Sequence, residues 1–297
     1  MTSAIKIATR GSELALWQAE WVASLVPAPT EIVVVETQGD RDQQRSLTEI
    51  GGQGVFVKEI QHRVLDGGAS LAVHSAKDLP SAPVEGLVIG AWLPRANPLD
   101  AIVGSTLNSL VPGARVGTSS LRRAAQLLAL RPDVVITTLR GNIRTRLSKG
   151  QDLDAIFVAA AALDRLGLQP DVMETLSPEV MLPQVGQGAI ALECRADDVA
   201  TIAILDDLND ARTEQAVKAE RSFLRAFGTG CSLPIGAFCE HRDGMLELRA
   251  MVAAPDGTRV LRGSLSGEDP GSLGASLAET MIQRGALDLL TASEGTR

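Results

Sequence analysis

Arg115-Val116-Gly117-Thr118-Ser119-Ser120-Leu121-Arg122-Arg123 passes from a strand ending at Gly117 into a helix that Ser119 or Ser120 opens and that runs to Leu130. A serine at that position supplies an oxygen to N–H groups that the first helical turn leaves without partners. The next apolar run, Val134 to Leu139, is again a strand, so the order is that of an α/β sheet. Outward from this stretch the same alternation recurs. Ile5 to Thr9 reads as a strand, and Ser12 caps a helix predicted to bury Leu14, Trp17, Trp21 and Leu25 at spacings of three and four. Glu31 to Thr37 is a strand, Val55 to Leu65 a helix, and Ala69 to Val73 a strand ending in His74-Ser75-Ala76-Lys77-Asp78. Leu93-Pro94-Arg95-Ala96-Asn97-Pro98 marks a hinge into the second α/β unit. Within that unit, Gly141-Asn142 leads into a short helix and Asp154 to Ala160 is a strand. Ala189 to Cys194 is a further strand, followed by helices over Asp197 to Leu208 and Ala211 to Ala226. From Ile235 the pattern changes to hairpins, with Asp243-Gly244 and Asp256-Gly257 as turns, and Leu273 to Leu290 reads as one closing helix.

The composition is that of a globular chain: 297 residues, 45% hydrophobic, 22% charged and of net charge −8. No apolar run reaches the roughly 18 residues of a membrane span, and the N-terminus enters a strand pattern directly. A cytoplasmic location is the expectation. Three cysteines, Cys194, Cys231 and Cys239, form no Cys-x-x-Cys pair, and three histidines give no basis for a metal site. The acidic balance and the absence of tyrosine argue against nucleic acid as a partner. Against that balance, Arg115 to Lys149 holds seven arginines and one lysine with a single acid, Asp133, a local charge of +7. Arginine grips carboxylates and phosphates through paired N–H groups, so a polycarboxylate site is the stronger reading than a solvated basic face.

In α/β units, ligands gather at the carboxyl ends of strands, where helix N-termini present free N–H groups. Thr9-Arg10-Gly11-Ser12, His74 to Asp78, Gly117 to Arg123 and Leu139-Arg140-Gly141-Asn142 all fall at such ends. Near the start of the hairpin region, Gly228-Thr229-Gly230-Cys231-Ser232-Leu233-Pro234-Ile235-Gly236 flanks a cysteine with glycines. Alone, that run reads either as a Gly/Pro loop with an inert thiol or as an attachment point presented without obstruction.

Taken together, these motifs resemble the porphobilinogen deaminase family, also called hydroxymethylbilane synthase, along nearly the whole chain. The resemblance rests on Ile7 to Ser12 with Leu14 to Ala19, Gly54 to Glu59, His74 to Pro80, Val116 to Arg123, Leu139 to Leu147, Leu182 to Ala189 and the Cys231 loop. It implies two periplasmic-binding-protein-like α/β lobes, 1–94 with 189–208 and 99–184, plus a small α+β C-terminal domain, 211–297. It also implies a monomer that condenses four porphobilinogen molecules head to tail, with loss of ammonia, onto a dipyrromethane cofactor joined to Cys231 by a thioether. Asp78 would be the catalytic carboxylate that stabilises the azafulvenium cation. Lys77, Ser120, Arg122, Arg123 and Arg146 would hold the cofactor. Arg10, Ser12, Arg140, Arg165 and Gln187 would bind substrate. The polar loop Arg41 to Gly54 would be a lid.

Three departures touch the resemblance. Gln53 and Glu49 stand where the family often has bases, Thr229-Gly230 precedes the cysteine in place of two glycines, and Asn97-Pro98-Leu99-Asp100 replaces an acidic-Pro-basic-Asp stretch. Competing readings are a two-lobed solute-binding protein for a polycarboxylate ligand and a nicotinamide enzyme argued from Gly186-Gln187-Gly188-Ala189-Ile190-Ala191. The second fails on context, because its glycines lead into a strand instead of opening a helix. A serine hydrolase lacks its elbow, since Gly263-Ser264-Leu265-Ser266-Gly267 has leucine at the nucleophile position.

Overall fold

The computed structural model describes residues 4–37, 57–228 and 233–291. In chain order its strands are β1 (Ile5–Arg10), β2 (Thr30–Val35), β3 (Leu71–Ser75), β4 (Leu87–Trp92), β5 (Asp100–Val103), β6 (Arg115–Gly117), β7 (Val135–Thr137), β8 (Ala155–Ala159), β9 (Met173–Leu176), β10 (Ile190–Arg195), β11 (Ile235–Arg242), β12 (Met245–Ala253) and β13 (Val260–Gly267). The chain divides into two compact units, Met1–Ala96 with Gly188–Gln215 and Asn97–Gln187 with Ala216–Arg297.

The first unit holds one five-stranded sheet, ordered β2-β1-β3-β10-β4. β1, β2 and β3 run parallel, and β10 lies antiparallel to both β3 and β4. Ile7, Leu71, Val73 and Leu192 fill a core on one face of the sheet, while Ala8, Ile60, Val64 and Ala72 fill one on the other. Alternate residues of a strand serve opposite cores, which is why β3 is buried from Leu71 to His74 and opens with the apolar run Leu71-Ala72-Val73.

The second unit repeats that plan. Its five-stranded sheet is ordered β7-β6-β8-β5-β9, with β6, β7 and β8 parallel and β5 antiparallel to β8 and β9. In both sheets the fourth strand is the reversed one, and in both it is supplied from outside the run of the other four: β10 follows the second sheet in sequence, and β5 precedes the rest of its own. No sequence repeat announces this duplication. It is a repeat of topology, carried by apolar positions that many different residues satisfy.

The remainder of the second unit is the antiparallel sheet β11-β12-β13. Its first turn has positive φ at both Asp243 (50°) and Gly244 (83°), the geometry of a two-residue hairpin. Phe223, Leu248, Leu277 and Met281 form its core beneath the helices Ala211–Arg225 and Pro270–Gln283. A second contact joins it to the five-stranded sheet's helix, where Ala125 and Leu182 pack on Phe238 and Met251.

Two expectations from the sequence are corrected. The helix Glu13–Leu25 buries Gln18, Ala19 and Val22 in place of the Leu14-Trp17-Trp21-Leu25 face, and Leu25 is exposed. Small residues let the helix lie close on the sheet, while Trp17 and Trp21 pack on each other at the margin with centroids 5.7 Å apart. The closing helix is two helices, Pro270–Gln283 and Ala286–Thr291, because Gly285 adopts φ +88°. Strands β4, β5 and β9 carry no period long enough to read from the sequence.

Gly274 sets the approach of two helices: a Cβ there would sit 2.3 Å from Ala219 O and 2.6 Å from Phe223 N. Gly274→Ala should therefore cost about 1–3 kcal/mol of stability. A lowered urea midpoint with unchanged far-ultraviolet dichroism would show it, and an unshifted midpoint would refute the packing argument.

Candidate active site

At the carboxyl edge of the first sheet, β1 ends at Arg10 and Ser12 caps the following helix, its Oγ accepting from Ala15 N at 3.4 Å. β3 ends at Ser75 and turns at once into a short 3₁₀ segment, Ala76–Asp78, so Lys77 and Asp78 emerge at the same edge. Arg10, Ser12, Lys77 and Asp78 line one cavity together with Gln18, His74 and Ser75. Gln18 Nε2 donates to Ser75 Oγ at 3.0 Å, and Ala76 N donates to Ala189 O at 3.0 Å, which fixes the turn that carries Asp78. Beneath it, the buried Glu193 carboxylate lies 3.0 Å from His74 Nε2 and accepts from Gln61 Nε2 at 3.0 Å. The four residues that the resemblance assigned to this end of the chain are thus brought together.

At the equivalent edge of the second unit, the structure selects Ser120 as the cap, its Oγ accepting from Arg123 N at 3.5 Å. Ser119 Oγ donates to Leu139 O at 2.8 Å and so ties the cap loop to the loop of Arg140. Asn142 caps the helix Ile143–Lys149 by accepting from Thr145 N at 2.8 Å, and Arg146 Nε donates to Gly141 O at 2.8 Å. Arg140 keeps a buried Nη1 with no hydrogen-bond partner among the described residues. Arg165, at the end of the helix Ala160–Arg165, has its pKa pushed down to about 10 by burial.

Arg122 and Arg123 do not face solvent. Both are buried, and both converge on Asp100, the first residue of β5 and itself 0% exposed. Arg122 reaches Asp100 through Nη1 at 2.5 Å and Nη2 at 3.2 Å; Arg123 does so through Nη2 at 2.7 Å and Nε at 2.9 Å. Leu182 O and Phe157 O accept further N–H groups at 2.7 and 3.2 Å, while Arg122 Nε is buried without a hydrogen-bond partner among the described residues. Gln187 is 1% exposed, and its Nε2 donates to Pro98 O at 2.7 Å and to Asp100 Oδ1 at 3.0 Å. Sequence reasoning registered Asp100 only as the end of an altered motif. The signal available was a lone acid after Pro98 in a chain whose second unit carries adjacent arginines.

Cys231 and the segment Arg41 to Gly54 expected to be a lid, with Glu49 and Gln53, lie outside the described residues. The other two cysteines, Cys194 and Cys239, are buried, and burial pushes the Cys194 thiol up to about 11, as befits inert core thiols.

The family description "Porphobilinogen deaminase, dipyromethane cofactor binding domain" matches residues 5–203, and "Porphobilinogen deaminase, C-terminal domain" matches residues 214–283. The chain belongs to the porphobilinogen deaminase family. A porphobilinogen deaminase of Brevibacillus brevis is 45% identical over 296 residues, and one of Geobacillus kaustophilus is 44% identical over 297, each alignment covering 96% of both chains. Among solved structures, a TRAP periplasmic solute binding protein from Desulfovibrio salexigens is similar at a TM-score of 0.38 and 10% identity over 70% of this chain and 73% of that one, a likeness too weak to carry an argument. The deaminase family's cofactor domain spans both five-stranded sheets, and its C-terminal domain covers the three-stranded one.

Burial works against ionisation of Asp100, yet the charges of Arg122 and Arg123 and the hydrogen bonds from Arg122 and Gln187 hold its carboxyl well below the usual carboxylate range. A group whose pKa is lower folded than unfolded adds stability that is complete above its unfolded value of about 3.9 and is lost as pH falls toward the folded one. Asp100→Asn should cost about 3–5 kcal/mol at neutral pH, since it strands buried cations. It should also flatten the stability-against-pH curve below about pH 4. Chemical denaturation across pH would reveal both effects, and an unchanged acid limb would show that Asp100 is not so perturbed.

Proposed function

We propose that Asp78, Cys231 and the arginines of the second unit carry out hydroxymethylbilane synthase chemistry, the activity of the family to which the chain belongs. Four porphobilinogen molecules are joined head to tail with release of ammonia at each condensation, and hydrolysis frees the linear tetrapyrrole. The observation that carries the residue assignment is the cavity at the edge of the first sheet, where a half-buried carboxylate, Asp78, stands beside Lys77, Arg10 and Ser12.

Loss of ammonia from an aminomethyl pyrrole leaves a cation. A fixed carboxylate stabilises that developing charge most effectively where water is partly excluded, while the protonated amino group departs as ammonia. Asp78 has that role, its backbone held by the 3₁₀ turn and by the Ala76–Ala189 hydrogen bond. Arg10 supplies positive charge for the acetate and propionate groups of the substrate, and Lys77 would do so for those of the cofactor. The residues present fit a dipyrromethane: its carboxylates need cationic donors, and Arg140 Nη1 and Arg122 Nε are enclosed N–H groups without acceptors among the described residues. When bound, the dipyrromethane supplies a tethered pyrrole terminus as the acceptor for the first incoming unit. Ser120, Arg122, Arg123 and Arg146 would hold it. Arg140 and Arg165 complete the residues that would bind substrate.

Cys231 is the attachment point in this reading, supported by its glycine-flanked loop and by the burial of Cys194 and Cys239. A cytoplasmic monomer that binds neither nucleic acid nor membrane belongs to the same proposal. Among the described residues, no helix is long and apolar enough to cross a membrane. A polycarboxylate-binding protein without catalysis is not favoured, because the full-length relatives are deaminases.

Intact mass spectrometry of the full chain should show added mass on the peptide containing Cys231. Cys231→Ser should remove that mass while the protein stays folded, because an alcohol is a far weaker nucleophile than a partly ionised thiol. Normal loading of Cys231→Ser would place the attachment elsewhere.

Asp78→Asn keeps the shape of the side chain and loses its charge. Its kcat should fall by about 10²–10³ with the thermal midpoint little changed. Wild-type turnover in that variant would remove Asp78 from the chemistry.

A further inference from the structure

We infer that Asp100 is a positioning residue for the anion-binding pair Arg122 and Arg123, and that Gln187 shares this task instead of touching substrate. The inference rests on the functional reading above. Neighbouring residues of a helix point about 100° apart, so two consecutive arginines have no intrinsic reason to converge. Here both guanidinium groups meet one carboxylate, which accepts at Oδ1 from Arg122 Nη2, Arg123 Nε, Arg123 Nη2 and Gln187 Nε2, and at Oδ2 from Arg122 Nη1. The carboxylate is itself fixed: Asp100 opens β5 in register with Ala159 of β8 on one side and Leu176 of β9 on the other.

The charge balance favours a site over a purely structural ion pair. Two guanidinium groups and one carboxylate leave a surplus positive charge in a buried setting, and Arg122 Nε has no acceptor among the described residues. A single carboxylate makes the burial of two cations tolerable without neutralising them. What remains is oriented positive charge with an open donor, which suits an anionic ligand group.

Gln187 is held as firmly as Asp100. Gly186 and Gly188 adopt φ +71° and +86°, conformations that favour glycine, and Gly186 N donates to the buried Glu220 Oε2 at 2.7 Å. The Gln187 backbone N donates to Gln184 O at 2.9 Å. Its amide then joins Pro98 O to Asp100 Oδ1, so the segment before β5 and the carboxylate cannot shift independently. This accounts for the Gly-Gln-Gly sequence without any nucleotide.

The test uses the full chain prepared without porphobilinogen and follows its loading by porphobilinogen through intact mass. Variants Asp100→Asn and Gln187→Leu are compared with wild type. A positioning role raises the porphobilinogen concentration for half-maximal loading rate at least tenfold in Asp100→Asn and about threefold in Gln187→Leu, with the limiting rate changed less. A merely structural role lowers the amount of folded protein and leaves the half-saturating concentration of the folded fraction where it was. Should Asp100→Asn fail to fold, Gln187→Leu decides, because it leaves both ion pairs intact. Wild-type half-saturation in the folded Asp100→Asn, or in Gln187→Leu if the former does not fold, overturns the inference alone. A wild-type chain that gains no mass at Cys231 overturns the functional reading and this inference with it.

Discussion

The carboxylate of Asp100 is where the second unit's buried charges and its packing meet. Two arginines at 3% and 5% exposure would be untenable in a core without a compensating charge, since an unpaired buried ion costs several kcal/mol. Their partner cannot come from the same helix, where the residues following them are Ala124, Ala125, Gln126 and Leu127. It comes from a strand 22 residues upstream, and only because β5 enters the sheet between β8 and β9. The reversed strand that completes the sheet therefore also completes the buried ion cluster. The same construction fixes Leu182 O and Phe157 O as acceptors, so the backbone of the core shares in orienting the guanidinium groups.

The first unit uses a related device for its carboxylate edge. Its reversed strand, β10, brings Glu193 beneath the turn that carries Lys77 and Asp78, and there Glu193 joins His74 of β3 to Gln61 of the neighbouring helix. In each unit, then, a buried acid on the reversed strand organises side chains from elements far away in sequence. The candidate site residues stand at the ends of parallel strands, where short turns such as Ala76–Asp78 and caps such as Ser12 and Ser120 hold them with few degrees of freedom. Sites built on strand ends keep their geometry because the sheet beneath does not bend easily.

The glycines show a division of labour between local and distant demands. Gly244 and Gly257 have positive φ in hairpin turns and were legible as Asp-Gly pairs. Gly274 is required for a different reason: the carbonyl of Ala219 leaves no room for a Cβ, and no local pattern in the sequence signals it. Gly186 and Gly188 resembled half of a nucleotide fingerprint in the sequence, while in the fold they set the backbone on either side of Gln187.

Local rules determined much of this protein from sequence alone. Capping serines, apolar strands and Asp-Gly turns gave the α/β alternation and the hairpin domain, because each depends on interactions within a few residues. The ends of β1, β3 and β6 were readable for the same reason, and with them Arg10, Ser12, Lys77, Asp78 and Ser120. The motif order gave the family. What only the tertiary structure decided depends on contacts between distant residues: the burial of Arg122 and Arg123 on Asp100, the engagement of Gln187, the Glu193 cluster and the duplicated strand order. An arginine in sequence carries the same charge whether solvated or buried, and the environment that separates the two is assembled only when strands from remote parts of the chain share a sheet.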